Sequence, residues 1–204
     1  MIRSQRVRIL RAMAEAAAER GYAGTTVAQV IEGAGVSRTT FYELFADKED
    51  CFLAAIRDVV ARATTAVAEA RARPDEDLGS LGAGILALLE FFAAEPAYAR
   101  LLVLESRNST PRAVELYLSA VRATVSLIGQ GEFASDVPVS SALAARAAYG
   151  GAETLISKHI ENDRAESLPE LLPQLVYCTL VPFRGVDEAL GRASLAREKS
   201  TMGG

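Results

Sequence analysis

The stretch GVSRTTFYELF, residues 35–45, decides how this chain is interpreted. Ser37 is a residue type that caps helix N-termini, and Phe41, Leu44 and Phe45 recur at the spacing of one helix face. The other positions of this predicted helix include Arg, two Thr and Tyr. A helix that only fills a core does not need these hydrogen-bonding side chains. The stretch therefore predicts a short helix with one buried face and one face that offers hydrogen bonds.

The residues before this stretch predict two more helices. A first helix extends over residues 4–20, and Gly21 supplies the left-handed conformation that ends it. Thr26 and Gln29 have the spacing of a capping box, so they begin a second helix of about two turns. Gly35 ends that helix. The second and third helices are therefore short and are joined by a tight turn.

Two short helices joined by such a turn form a helix-turn-helix. In this motif the second helix enters the major groove of DNA, and its N-terminal residues reach base edges. Arg38 can pair with guanine, and Thr39 and Thr40 can contact thymine methyl groups, bases or phosphates. Tyr42 can offer its hydroxyl to a phosphate. The competing interpretation is an ordinary surface helix with solvated polar side chains.

Composition and charge limit the class of protein. The chain has 204 residues, half of them hydrophobic, which suffices for one or two domains with a sizeable core. Cys51 and Cys178 lie far apart without a neighbouring His or Cys, which favours reduced thiols over a disulfide or metal site. Residues 1–46 carry six Arg against four Glu, although the chain's net charge is −4. This pattern fits one anionic partner at the N-terminus.

The apolar runs around residues 82–89 and 175–183 are too short to span a bilayer. The N-terminus has no clean apolar signal core. We therefore expect a soluble cytoplasmic protein without a membrane segment and without a cofactor.

The remaining sequence predicts further helices and shows no strand pattern, so the expected fold is all-α. These helices are predicted at residues 47–73, 77–95, 97–106, 111–129, 140–161 and 168–181. The last two resemble a dimer surface. The helix over residues 140–161 has a smooth surface, because Ala and Gly carry little or no side chain. The helix over residues 168–181 is apolar around more than one face, which is typical of a helix buried on two sides. The competing interpretation is a single large core. The residues concerned are Ala144, Ala145, Ala147, Ala148, Gly150, Gly151 and Ala152, and Leu171, Leu172, Leu175, Val176, Leu180 and Val181.

Residues 21–55, GYAGTTVAQVIEGAGVSRTTFYELFADKEDCFLAA, resemble the DNA-binding signature of TetR-family transcriptional regulators. The resemblance is long and ungapped, and it covers about residues 5–56. It implies an all-helical homodimer that binds a palindromic DNA site. A DNA-binding domain over residues 1–47 would precede a larger ligand-binding and dimerisation domain over residues 48–204, and the helix over residues 48–73 would connect the two.

The resemblance also implies roles for individual residues. Thr26 and Lys48 would contact phosphates, and Ser37, Arg38, Thr39, Thr40 and Tyr42 would form the recognition surface. Arg3 and Arg6 would act as a flexible arm. A small-molecule pocket would lie in the larger domain, although plain core packing is an open alternative for each aromatic residue near it. These aromatic residues are Phe91, Phe92, Tyr98, Tyr117 and Tyr149.

The predicted function is a ligand-responsive transcriptional regulator, by family default a repressor, that a small and largely apolar molecule releases from double-stranded DNA. A helical enzyme is the first alternative, but the chain has one His and no H-E-x-x-H or G-x-S-x-G motif. A protein-binding helical scaffold is the second. It would leave Arg38, Thr39, Thr40 and Tyr42 without a purpose.

Overall fold

The computed structural model describes residues 2–74, 76–130 and 140–202, and all regular structure in these ranges is helical. The all-α prediction is confirmed. The helices are α1 (Ile2–Gly24), α2 (Val27–Ala34), α3 (Arg38–Leu44), α4 (Lys48–Ala72), α5 (Gly79–Ala94), α6 (Pro96–Arg100), α7 (Pro111–Gln130), α8 (Ser141–Glu161) and α9 (Leu172–Met202). Leu101–Glu105 forms a π-helical turn, and Ser106–Asn108 and Ala165–Leu171 form 3-10 turns.

The predicted helix ends near the motif are confirmed. Gly21, with φ 72° and ψ 161°, leaves the helical conformation. Thr26 and Gln29 form a reciprocal capping box, in which each side chain accepts a hydrogen bond from the other residue's backbone N–H. The Asp47 carboxylate accepts from the Asp50 N–H at 2.8 Å and so begins α4. Local sequence chemistry determines these ends.

The first helix begins earlier than predicted, at Ile2 rather than at Ser4. Arg6 lies well inside this helix, so the prediction that it belongs to a flexible arm is wrong. Its guanidinium lies 4.9 Å from the centre of the Phe45 ring, which also holds it in place. The side chain of Arg3 lies outside the described residues.

The segment after α5 is also more broken than predicted. One helix over residues 97–106 was expected, but α6 passes into the π turn and then into a 3-10 turn. Likewise, residues 168–171 belong to a 3-10 turn, and α9 begins only at Leu172. The loop expected between α7 and α8 lies mostly outside the described residues.

The last helix extends well beyond its predicted end at residue 181. The chain leaves the helical conformation at Gly185, with φ 78° and ψ 176°, and a second helical part continues to the end of α9. Ala189 and Ala196 are fully buried on this part. Alanines seven residues apart share a helix face but add little apolar signal to the sequence, so periodicity did not reveal this part.

The described residues form two compact units. The first comprises the residues up to Arg62 together with Glu95–Ser119, and the second comprises Ala63–Ala94 and the residues from Ala120 on. In the first unit α1 packs against α2 and α6. Its core contains Ile9, Met13, Phe41, Phe52, Leu53, Ile56 and Leu101, all fully or almost fully buried. The functional boundary between residues 47 and 48 stays a prediction.

In the second unit α5 packs against the 3-10 turn Ala165–Leu171 and against α9, and α8 packs against α9. Five of the six apolar residues that suggested two-sided burial of α9 are already buried within the chain. These residues are Leu171, Leu172, Leu175, Val176 and Leu180. They form part of this core, so their apolar character does not by itself indicate a dimer surface.

Within the described ranges, no single helix is long and apolar enough to cross a membrane. Two consecutive helical segments, Gly79–Ala94 and Pro96–Asn108, have the length and apolar composition of a span only when they are taken together.

Candidate nucleic-acid interface

The turn between α2 and α3 depends on a left-handed glycine. Gly35 has φ 59° and ψ 45°. Its N–H donates to the Glu32 carbonyl at 3.1 Å, and the Val36 N–H donates to the Ile31 carbonyl at 3.2 Å. These two bonds satisfy carbonyls at the end of α2 that have no partner inside the helix. The turn therefore fixes the direction in which α3 leaves α2.

Two aromatic residues hold α3 onto the core of the first unit. Phe41 is fully buried and Phe45 almost so, and their ring centres lie 5.6 Å apart. Because these residues face inward, the opposite face of α3 is left to solvent. Arg38, Thr39 and Tyr42 are exposed there. This is the division into a buried and a polar face that the sequence predicted.

A contact between two residues that are predicted to bind DNA orders the exposed face of α3. The Arg38 guanidinium carbon lies 5.5 Å from the centre of the Tyr42 ring, one helical turn away. Such a cation–π contact favours one orientation of the arginine. Tyr42 itself is 46% exposed. An arginine held in this way is presented at the surface as a hydrogen-bond donor for a guanine edge or a phosphate.

Ser37 and Thr40 differ from the other predicted recognition residues, because they already bind each other. The Ser37 hydroxyl oxygen accepts from the Thr40 N–H at 3.0 Å and lies 2.9 Å from the Thr40 hydroxyl. Thr40 is half-buried, whereas Ser37 is exposed. Their first task is to cap α3. A contact with a phosphate would use the one hydroxyl hydrogen that this pair leaves free.

Thr26 lies exposed at the start of α2, where the helix dipole favours an anion. Its hydroxyl donates to the Gln29 side-chain oxygen at 2.9 Å and accepts from the Gln29 N–H at 3.3 Å. The hydroxyl hydrogen is therefore engaged within the capping box, and a phosphate contact from Thr26 stays a prediction.

Lys48 lies at the start of α4 and has protein partners. Its ammonium group donates to the carbonyls of Tyr22 and Thr25, both at 2.9 Å. The ammonium nitrogen also lies 4.2 Å from the centre of the Tyr22 ring. The family resemblance implied that Lys48 contacts a DNA phosphate, and it did not reveal these protein partners. The local sequence did not indicate these partners, because the Tyr22 and Thr25 carbonyls follow the break at Gly21 rather than ending the turn before it.

Arg8 is a further cation near the motif that sequence reasoning did not single out. It is exposed on α1, and its guanidinium lies 3.5 Å from the Gly35 carbonyl oxygen, beside the turn. Arg6 lies against Phe45, at the other end of α3. Two arginines of α1 therefore accompany the third helix, in agreement with the basic N-terminal charge.

The predicted ligand-contacting aromatic residues are divided between the two units. Tyr98 and Tyr117 are buried in the first unit, whereas Phe91, Phe92 and Tyr149 belong to the second. The Arg62 guanidinium lies 4.8 Å from the centre of the Tyr98 ring and pairs with Glu95 at 2.7 Å. Burial raises the pKa of Tyr98. A shared ligand site for all five residues stays a prediction.

Among the residues that the structure describes, no group of three or more His, Cys, Asp or Glu side chains could hold a metal ion. The two cysteines are free, with Cys51 buried and Cys178 exposed. Burial raises the pKa of Cys51 to about 12, so its thiol is protonated at neutral pH.

Comparison with known proteins agrees with this geometry. Residues 9–55 match the pattern of bacterial regulatory proteins of the tetR family. The chain carries a TetR-family DNA-binding domain. Among curated proteins, none matches the chain. The matched residues include α2, the turn at Gly35 and α3, so the resemblance to the DNA-binding signature of TetR-family regulators is confirmed.

Solved structures of regulatory proteins have a similar fold over most of this chain. The fatty acid degradation regulator FadR from Bacillus halodurans is 19% identical, with a TM-score of 0.73, and the match covers 88% of this chain and 98% of that one. FadR from Bacillus subtilis, in complex with stearoyl-CoA, is 20% identical, with a TM-score of 0.72 and the same shares. TylP, a TetR regulator from Streptomyces fradiae, is 19% identical, with a TM-score of 0.69, over 97% of this chain and 94% of that one. These likenesses show the fold.

Proposed function

We propose that this protein is a ligand-responsive transcriptional repressor of the cytoplasm that binds a palindromic operator as a homodimer. A small, largely apolar molecule releases it from DNA. The observation that carries the proposal is the outer face of α3, where Arg38 lies against Tyr42 and beside Thr39. A helical scaffold that binds only protein gives no reason for this arrangement within a TetR-family domain.

Selection of duplexes from a random DNA pool tests DNA binding and symmetry together. A dimer with two-fold symmetry places its recognition helices about one DNA turn apart, roughly 34–36 Å, so the selected sequences should contain inverted half-sites. Binding to the selected duplex should weaken steeply with salt, because phosphate contacts release counterions. Recovery of no preferred sequence, or of a sequence without symmetry, would contradict the proposal.

The proposed dimer is supported by one face of α8. Leu143 is 62% exposed there, Ala147 and Gly151 are also exposed, and a Cβ added at Gly150 or Gly151 would meet open space. These positions recur at the spacing of one helix face. Such a surface allows another helix to approach closely.

Gly151→Arg separates the dimer from the fold of the monomer. Since the space around Gly151 is open within one chain, the variant should keep its helical content. A bulky charge in the proposed interface should instead shift sedimentation at micromolar concentration from dimer to monomer. Ala123→Arg, which adds the same charge at an exposed position of α7, is the control for altered charge. A wild-type monomer would refute the proposed interface.

For the apolar effector, a long acyl chain, free or carried on CoA, is the first class to test. The support is the similar fold of FadR from Bacillus subtilis, which was solved with stearoyl-CoA. An effector that couples to DNA binding by about 1–3 kcal/mol would weaken operator affinity by roughly 5- to 150-fold. Titrations with stearoyl-CoA, free CoA and stearate distinguish recognition of the acyl chain from recognition of the nucleotide. No effect of any of the three would exclude this class.

A further inference from the structure

The backbone of Tyr22, in the last turn of α1 and close to the start of α2, is held from two sides. At Gly21 the chain leaves the helical conformation, and Tyr22 follows. The Tyr22 N–H donates to a carboxylate oxygen of Glu105 at 3.2 Å. The Tyr22 carbonyl accepts from the Lys48 ammonium at 2.9 Å. Two side chains of opposite charge therefore bind the two backbone polar groups of one residue.

The lysine side of this corner, between α1 and α2, is anchored by several contacts. Lys48 also donates to the Thr25 carbonyl at 2.9 Å, and it lies over the Tyr22 ring. That ring packs on Phe52 of α4, with ring centres 4.4 Å apart. Thr25 is almost fully buried, and its hydroxyl donates to the Gly21 carbonyl at 2.8 Å. With two bonds to backbone carbonyls and one aromatic contact, the ammonium group is held within the protein.

The glutamate side comes from a distant part of the chain. Glu105 is the last residue of the π turn Leu101–Glu105, which packs against α1. A Cβ built on Gly21 would lie 3.5 Å from its carboxylate oxygen, so the carboxylate lies directly at the helix break. Isolated π turns are rare and occur frequently at functional sites. Here the π turn brings an acceptor to a backbone N–H next to the motif.

We propose that Lys48 and Glu105 are positioning residues for DNA binding. Together they hold the N–H and the carbonyl of Tyr22, fix the corner from which α2 starts, and so set the orientation of the helix-turn-helix; neither touches DNA. The proposal rests on the proposed DNA-binding function and replaces the phosphate contact first expected for Lys48. It also means that Glu105, in the π turn Leu101–Glu105, helps to order the helices that bind DNA.

The salt dependence of binding to the duplex that the wild type selects distinguishes positioning from phosphate contact. Loss of a phosphate contact reduces the slope of log K against log salt by about 1. Lys48→Met should instead weaken binding roughly three- to tenfold at every salt concentration, with the slope unchanged, because a smaller fraction of the protein has the competent geometry. A slope reduced by about 1 would overturn the proposal.

For Glu105 the sign of the effect is diagnostic. Removing a negative charge favours binding to DNA by simple electrostatics. Glu105→Ala should nevertheless weaken binding roughly three- to tenfold, whereas Glu105→Gln keeps an acceptor for the Tyr22 N–H and should largely restore it. Glu19→Ala is the matched control, because Glu19 is exposed on α1 and pairs with the neighbouring Arg20. Binding by Glu105→Ala that equals or exceeds the wild type would refute the role.

Hydrogen exchange tests the corner without DNA. Loss of a hydrogen bond to a charged group should speed exchange of the Tyr22 amide about tenfold in Glu105→Ala, while amides of the α1 core keep their wild-type rates. Unchanged exchange at Tyr22 would overturn the proposal. If the wild type selects no duplex, the proposed function and the positioning role both fail. If the wild type binds DNA but Lys48→Met reduces the slope of log K against log salt, only the positioning role fails.

Discussion

Gly35→Ala is the substitution that tests the turn of the motif most sharply. Gly35 has φ 59°, a conformation that costs an L-residue about 1–2 kcal/mol. The added methyl group would not collide with a neighbour, since its nearest contact is the Arg8 guanidinium at 3.5 Å. We therefore expect the free energy of unfolding to fall by about 1–2 kcal/mol through backbone strain alone. For a chain of this size that corresponds to a melting temperature lower by roughly 2–8 °C.

The assay is thermal denaturation followed by circular dichroism, with DNA affinity measured on the same samples. Gly35→Asn is the matched control, because Asn tolerates the left-handed conformation better than Ala. Asn should therefore restore part of the lost stability, although its side chain is larger. Equal losses for Ala and Asn would show that the added side chain, rather than φ, causes the effect. An Ala variant as stable as the wild type would refute the reasoning about this turn.

Two further predictions concern the core of the first unit. Phe41→Ala should lower the free energy of unfolding by about 3–5 kcal/mol, because Phe41 is fully buried on the inner face of α3. Chemical denaturation measures this loss. A loss below about 1 kcal/mol would show that α3 does not depend on the Phe41 side chain. At pH 8 a thiol reagent should modify Cys178 and spare Cys51, since the buried thiol, with a pKa raised to about 12, stays protonated until the pH approaches that value. Mass spectrometry counts the modified cysteines, and rapid modification of both in the native protein would contradict the burial of Cys51.

The sequence predicted the ends of the helices in the motif well, because the interactions that determine them are local. Thr26 and Gln29 are three residues apart, and so are Ser37 and Thr40. The left-handed conformation of Gly35 follows from the chemistry of glycine. Periodicity likewise identified Phe41 as the inward residue of α3.

Long-range partners could not be predicted in the same way. Lys48 bonds to carbonyls 26 and 23 residues away, and Glu105 bonds to a backbone N–H 83 residues away. Nothing in the sequence around Glu105 indicates a π turn. The assignment of Tyr98 and Tyr117 to the first unit also depends on packing between distant helices.

The central claim is that the outer face of α3 reads bases, and the affinity of Arg38→Ala across single-base variants of the selected duplex tests it most directly. Arg164→Ala removes the same charge from an exposed site before the 3-10 turn Ala165–Leu171 and serves as the control. We expect Arg38→Ala to lose about 1–3 kcal/mol of binding free energy and to relax discrimination at one base position in each half-site. Unchanged preference at every position, or an equal loss in Arg164→Ala, would contradict the account.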